Sequence, residues 1–186
     1  MIEKSISGQG IETIQIDGNS VFKINIVTDK TDAISIKMKS EGELSSDIIL
    51  STRSENKTLF ISSKLQPLFV SANDKLSAHK IIATTLDIII PRNLMLYVKS
   101  DIATVKALGQ FTIIEVELIN GNCILDEFKG DAIINTISGY IKVNTNNAKI
   151  SAYTKNGIIT TSVLDNGDYL LKLNSINGDI AVVKTE

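Results

Sequence analysis

Residues that usually carry chemistry are scarce in this chain. It has one cysteine, one histidine and two prolines in 186 residues, and of its 19 basic residues only Arg53 and Arg92 are arginine. A lone Cys123 forms no internal disulfide and fits no metal-ligand spacing, so it reads as a small buried hydrophobe. His79 would have to carry any Ser-His-Asp triad alone, no G-x-S-x-G elbow flanks a serine, and "LSAHKII" places it in a solvated loop. So few arginines make a poor toolkit for bidentate phosphate or carboxylate recognition. The net charge of −2, with lysines scattered singly, argues against a nucleic-acid partner. The longest apolar run, "LDIII", stops at Pro91, far short of a membrane span. The N-terminal "MIEKSISGQGIETIQ" has an acidic residue at position 3 and no apolar core, so no signal peptide is legible and the cytoplasm is the default location.

What the chain does have is alternation. "VFKINIVT" sets Phe22, Ile24 and Ile26 against Lys23 and Asn25, and "AISIKMKS" sets Ile34, Ile36 and Met38 against Ser35, Lys37 and Lys39. "TLFISS" and "GIETIQIDG" behave alike, with turn chemistry at Asp17-Gly18-Asn19, Thr28-Asp29-Lys30 and Ser54-Glu55-Asn56. No window has a convincing helical period. The expectation is an all-β protein: antiparallel strands over 1–90, continuing over 91–186 into a β-helix-like stack of coils of 18–21 residues, the two forming one continuous unit.

That stack is expected from a repeat. Gly121, Gly139, Gly157 and Gly178 are 18, 18 and 21 residues apart, and Asp101 takes the glycine place 20 residues before Gly121. Asp, like Gly, tolerates left-handed turns, which accounts for the exchange. At +2, +4, −5 and −7 from these five centres, 19 of 20 positions are apolar, Thr161 being the exception. Such a unit cannot bury its apolar face alone, but stacked at about 4.8 Å the units close a continuous core. At +7 stand Leu108, Phe128 and Leu164, with Asn146 as the odd member, placed either at a hydrogen-bonded corner or in solvent.

"LINGN" at 118–122, "TISGYIKV" at 136–143, "TKNGIITT" at 154–161 and "SINGDIAVV" at 175–183, with "TTLDIIIPRNLMLYVKS" at 84–100, resemble the bacterial putative adhesin family and its relative, the auto-transporter adhesin head domain. The resemblance implies a β-helix-like fold, a surface-adhesion role, and a place at the cell surface or in the periplasm. It transfers no catalytic motif.

Several patterns with chemical potential have plainer readings. "SGQG" at 7–10 contains G-x-G but lacks the strand–helix context of a dinucleotide site, and reads as a turn. Asn120, Asn122, Asp126, Asp131 and Asn135 could offer oxygens to calcium, yet the spacing of calcium-binding coils is absent and turn-forming Asx residues explain them. Glu115 and Glu117 point the same way on one strand, about 7 Å apart, a distance a glycosidase pair could use, though a solvated strand face explains both. Tyr97, Tyr140 and Tyr153 fall on outward positions and could stack on sugar rings or a partner protein. The reading is therefore a non-catalytic binding module without metal or cofactor, its partner a surface glycan or protein. The alternatives are an intracellular scaffold assembling end to end, against which Lys184 and Glu186 of the last coil look like edge protection, and a polysaccharide-active enzyme.

Overall fold

Ile, Val and Thr at alternate positions turn the patterned runs into strands. The computed structural model describes residues 1–42, 48–65 and 83–185, and among these there are fifteen strands and no helix. The first half contributes β1 (Ile2–Ser7), β2 (Thr13–Asp17), β3 (Lys23–Asp29), β4 (Ala33–Glu41), β5 (Ile48–Glu55), β6 (Thr58–Leu65) and β7 (Ala83–Pro91). The second contributes β8 (Met95–Ser100), β9 (Thr104–Asn120), β10 (Cys123–Ser138), β11 (Ile141–Thr145), β12 (Asn147–Thr154), β13 (Ile159–Thr161), β14 (Asp165–Ser175) and β15 (Ile180–Lys184). His79 lies outside the described residues.

All fifteen strands join one mixed sheet, and its inward residues form rows running across the strands. One row is Leu59, Ile14, Leu96, Ile114, Ala132, Leu171 and Ile150, all paired in parallel. Facing it in a second ladder is Met38, Leu86, Ile24, Val105, Cys123, Ile141, Ile180 and Ile159. Strands β9 and β10 are long enough to belong to both ladders. Among the described residues, pairing is antiparallel only where β1, β4 and β7 meet and in the β5–β6 hairpin, whose turn residues Asn56 (φ 50°) and Lys57 (φ 62°) suit a two-residue loop.

Four expectations are corrected here. The first half is not a set of antiparallel strands: β2 and β3 pair in parallel on both sides, β2 with β6 and β8, β3 with β7 and β9. Nor does ladder order follow chain order at the far end, where β14 lies between β10 and β12, and β15 between β11 and β13. Lys184 is therefore on an interior strand, and the outermost strands are β12 and β13; Glu186 lies outside the described residues. The third concerns Phe22, which is 46% exposed while Val21 is fully buried. The chain turns between Gly18 and Val21, whose N–H donates to the Gly18 carbonyl, and this shifts the alternation by one.

The fourth is a slip of two residues. Val105, not Ala103, stands opposite Cys123, and Leu96, not Leu94, opposite Ile114. The partner of Gly121 in the turn row is thus Ala103, not Asp101. Because side chains alternate with a period of two, this slip leaves every residue on its expected face, which is why alternation could not reveal it.

The turn row also gives the glycines their reason. A Cβ at Gly121 would overlap the Ala103 carbonyl oxygen, one at Gly139 that of Gly121, one at Gly178 that of Gly139, and one at Gly157 that of Gly178. Close approach of neighbouring turns, not left-handed backbone, excludes a side chain at 121, 157 and 178. Hydroxyls tie the same turns together: Ser100, Thr136, Ser175 and Thr154 donate to the carbonyls of Gly18, Gly121, Gly139 and Gly178. Ser100, Thr154 and Ser175 also accept from the N–H three residues ahead. Thr161, the polar exception in the repeat, lies on β13, which is exposed throughout. At the opposite corner Phe111 and Phe128 stack with centroids 5.9 Å apart, and Thr145 donates to the Phe128 carbonyl, while Asn146 points to solvent.

Candidate binding face

Outward residues of the β8 ladder form rows as regular as the inward ones. One row reads Phe60, Gln15, Tyr97, Glu115, Ile133, Lys172 and Ser151; the next reads Ser62, Asp17, Lys99, Glu117, Asn135, Asn174 and Tyr153. Beyond the second row, at the turns, Ile119, Ile137 and Ile176 follow one another at the ends of successive strands and are 42%, 45% and 42% exposed. Single exposed isoleucines are ordinary, but three in file make a contiguous apolar ridge. Polar side chains flank it: Asn174 donates to Asn135 at 3.0 Å on one side, and Asn156 to Asn177 at 2.7 Å on the other.

The ridge floors a shallow cleft of about 570 Å³ that also involves Lys99, Asp101, Glu117 and Tyr153. A second cleft of about 550 Å³ is lined by Tyr97, Phe60, Gln15, Asp17, Glu115 and again Lys99 and Glu117. The two meet at the Lys99–Glu117 ion pair, whose charged atoms are 3.4 Å apart on mostly exposed side chains. Tyr97 and Tyr153 thus belong to one face. Four strand steps separate Tyr153 from the Lys99 end, about 19 Å at the usual strand spacing. Tyr140 is not brought to that face. It follows Gly139 on the other side of the turn row, 43% exposed, with its N–H donating to the Asn122 side chain.

The remaining candidates are placed as follows. Glu115 and Glu117 are both outward on β9, with Glu117 engaged by Lys99. Asp126 accepts from Asn144 at 2.7 Å, Asp131 accepts the Leu170 N–H at 2.9 Å, and Asn122 and Asn135 are occupied as above. These Asx side chains join neighbouring strands. Among the described residues, no three His, Cys, Asp or Glu side chains converge as a metal site requires. Burial alone pushes the Cys123 thiol up to about 12, and the residue lies in the core row between Val105 and Ile141. Gly8 to Ile11 form a turn, with the Ile11 N–H donating to the Gly8 carbonyl.

The isoleucine ridge was missed at the sequence level. Its signal was present: isoleucine precedes the turn pair in "LING", "TISG" and "SING", where a solvated turn would carry a polar residue.

Fold and face together define a class: an all-β protein with one mixed sheet, an apolar core row by row, and an exposed elongated face. No protein-family model matches the chain, and no curated protein matches it significantly. Among solved structures, the chain is similar in fold to a putative cell adhesion protein from Clostridium sporogenes, with a TM-score of 0.70 at 13% identity over 99% of both chains. It also matches a putative adhesin from Bacteroides fragilis, with a TM-score of 0.44 at 11% identity, over 98% of this chain and 96% of that one.

Proposed function

We propose that this protein is a non-catalytic, adhesin-like binding module whose two ladders form a continuous β-helix-like stack, and that it holds an extended glycan or protein segment along the face shared by the two clefts. The observation that carries this reading is the junction of the clefts at Lys99 and Glu117, with Tyr97 in one and Tyr153 and the isoleucine ridge in the other. Aromatic rings offer flat stacking surfaces with a hydroxyl at the tip, and an ion pair half in solvent can exchange its partner for a ligand's polar groups. Tyr140, exposed across the turn row from this face, offers a separate aromatic contact. The fold likeness to the clostridial adhesion protein supports the class, and the role implies display at the cell surface or in the periplasm.

Glycan arrays and peptide libraries test the reading with purified protein. Tyr153→Ala and Tyr97→Ala are expected to weaken the selected ligand about tenfold each, the scale of a buried aromatic contact, and Tyr140→Ala less. Ligand binding indifferent to Tyr97 and Tyr153 would sink it. Cleavage by external protease on intact cells tests the location.

A further inference from the structure

We infer that the β12 edge is a self-pairing interface, through which two copies of this chain join about a two-fold axis at Ser151. Among the described residues β12 pairs with β14 alone, and β13 with β15 alone, so both ladders stop here with an open edge. The core is uncovered at this point. Ile159 is 42% exposed although Ile180, next in its row, is fully buried, and Ile158 and Val163 are 70% and 93% exposed. Native edges are blunted by proline, inward charge or brevity. β12 is eight residues long, without proline, and its one charge, Lys149, points outward.

The sequence of β12 fits its own reverse. With Ser151 opposite Ser151 of a second copy, Ile150 meets Ala152 on the core side, and Lys149 meets Tyr153 on the outer side. Core rows would then run through the axis, each outer lysine would lie against an aromatic ring, and no like charges would face one another. Such a contact is closed and uses the same patch twice. A head-to-tail contact fits poorly, because at the opposite end Lys4 of β1 reaches across to the Thr52 hydroxyl of β5 at 2.8 Å and Glu3 pairs with Lys37, leaving no matching open core. The inference rests on the β12 edge and not on the proposed ligand face, although Tyr153 belongs to both.

Sedimentation of the full chain, with variants at the exposed Ser151, tests this. A species of twice the monomer mass is expected at concentrations up to about 100 µM, where a micromolar interface fills. Ser151→Lys places two ammonium groups face to face and should weaken association about tenfold or more. Ser151→Cys, treated with oxidised glutathione as the two-electron oxidant, should give a disulfide-linked dimer, and the buried Cys123 adds no background. Lys172→Cys, one strand further from the axis, should not. A chain monomeric throughout that range overturns the inference. So does a dimer that Ser151→Lys leaves intact and Ser151→Cys fails to link, or a monomer whose β12 edge captures an added extended peptide instead.

Discussion

At one end of the ladders Ile34, Ile36 and Met38 on β4 are at most 1% exposed, and Ile48 and Leu50 on β5 at most 7%. At the other, Ile159 is 42% exposed and Ile150 only partly buried, although the next residues inward, Ile180 and Leu171, are fully buried. The residue types are the same, so the difference lies in what comes next. The first end is finished by antiparallel strands and a cross-core contact from Lys4 to Thr52; the second stops at a bare parallel edge. A row of isoleucines is a core only while another strand covers it.

Truncation at matched positions should break the symmetry most. Ile36→Ala removes fully buried methylenes and is expected to cost about 4 kcal/mol, whereas Ile159→Ala should cost about 1 kcal/mol in dilute protein. Denaturant unfolding of both variants measures this. Equal losses would mean that β13 is covered in solution.

Next in size is the turn row, which crosses the molecule toward the open end. Gly178→Ala forces a methyl against the Gly139 carbonyl and should cost about 3 kcal/mol. Ala103→Gly, at the start of the same row, should cost about 1 kcal/mol through the freer unfolded chain. Thermal melts of the two distinguish the packing explanation from a demand for left-handed backbone, under which Ala103→Gly would stabilise.

The hydroxyl ties should show a smaller contrast. Ser100 is buried and its loss leaves the Ala103 N–H unpaired and the Gly18 carbonyl with the Val21 N–H alone, so Ser100→Ala should cost about 2 kcal/mol. Thr154 makes the same pair of bonds at the partly exposed last turn, where water can replace it, and Thr154→Ala should cost about 0.5 kcal/mol.

Much of this was legible in the sequence, and the omissions have physical causes. The all-β class, the inward rows and the burial of Cys123 follow from alternation, which reports a residue's face wherever the strand runs unbroken; at Phe22 the turn from Gly18 to Val21 shifts it by one. Alternation is blind to a shift of two, hence the expectation that Ala103, where the structure has Val105, would stand opposite Cys123. It is equally blind to which strand lies beside which: "TKNGIITT" and "SINGDIAVV" carry the same pattern, and nothing in either says that the later one, β14–β15, is threaded inside the earlier, β12–β13. The same holds for β2 and β3, whose turns suited hairpins while their edges took parallel partners. The outward placement of Tyr97 and Tyr153 was legible because outwardness is local. Their grouping apart from Tyr140, and their meeting at Lys99 and Glu117, depends on row order and had no local sign.

The weakest test concerns alkaline pH and separates a shared feature from one confined to the closed end. The Cys123 thiol is raised by burial, so the folded state holds its proton where the unfolded chain, near 9, releases it. Fewer protons on the unfolded state mean that stability is intact below about 9 and falls as pH rises toward about 12. This loss should be felt by the whole sheet, since Cys123 sits mid-row. Lys57 differs. The hydrogen bond and charge of Glu12 at 2.6 Å raise its pKa, so the pin between the β5–β6 turn and the segment entering β2 is complete below 10.5 and is lost above it. Both groups are solvated, and the effect should be confined to amides near Asn56 and Thr13. Hydrogen exchange on Lys57→Met at neutral pH should show faster exchange there and no change in β12. Loosening that spread to β12 would mean that the finished end holds the open one in place.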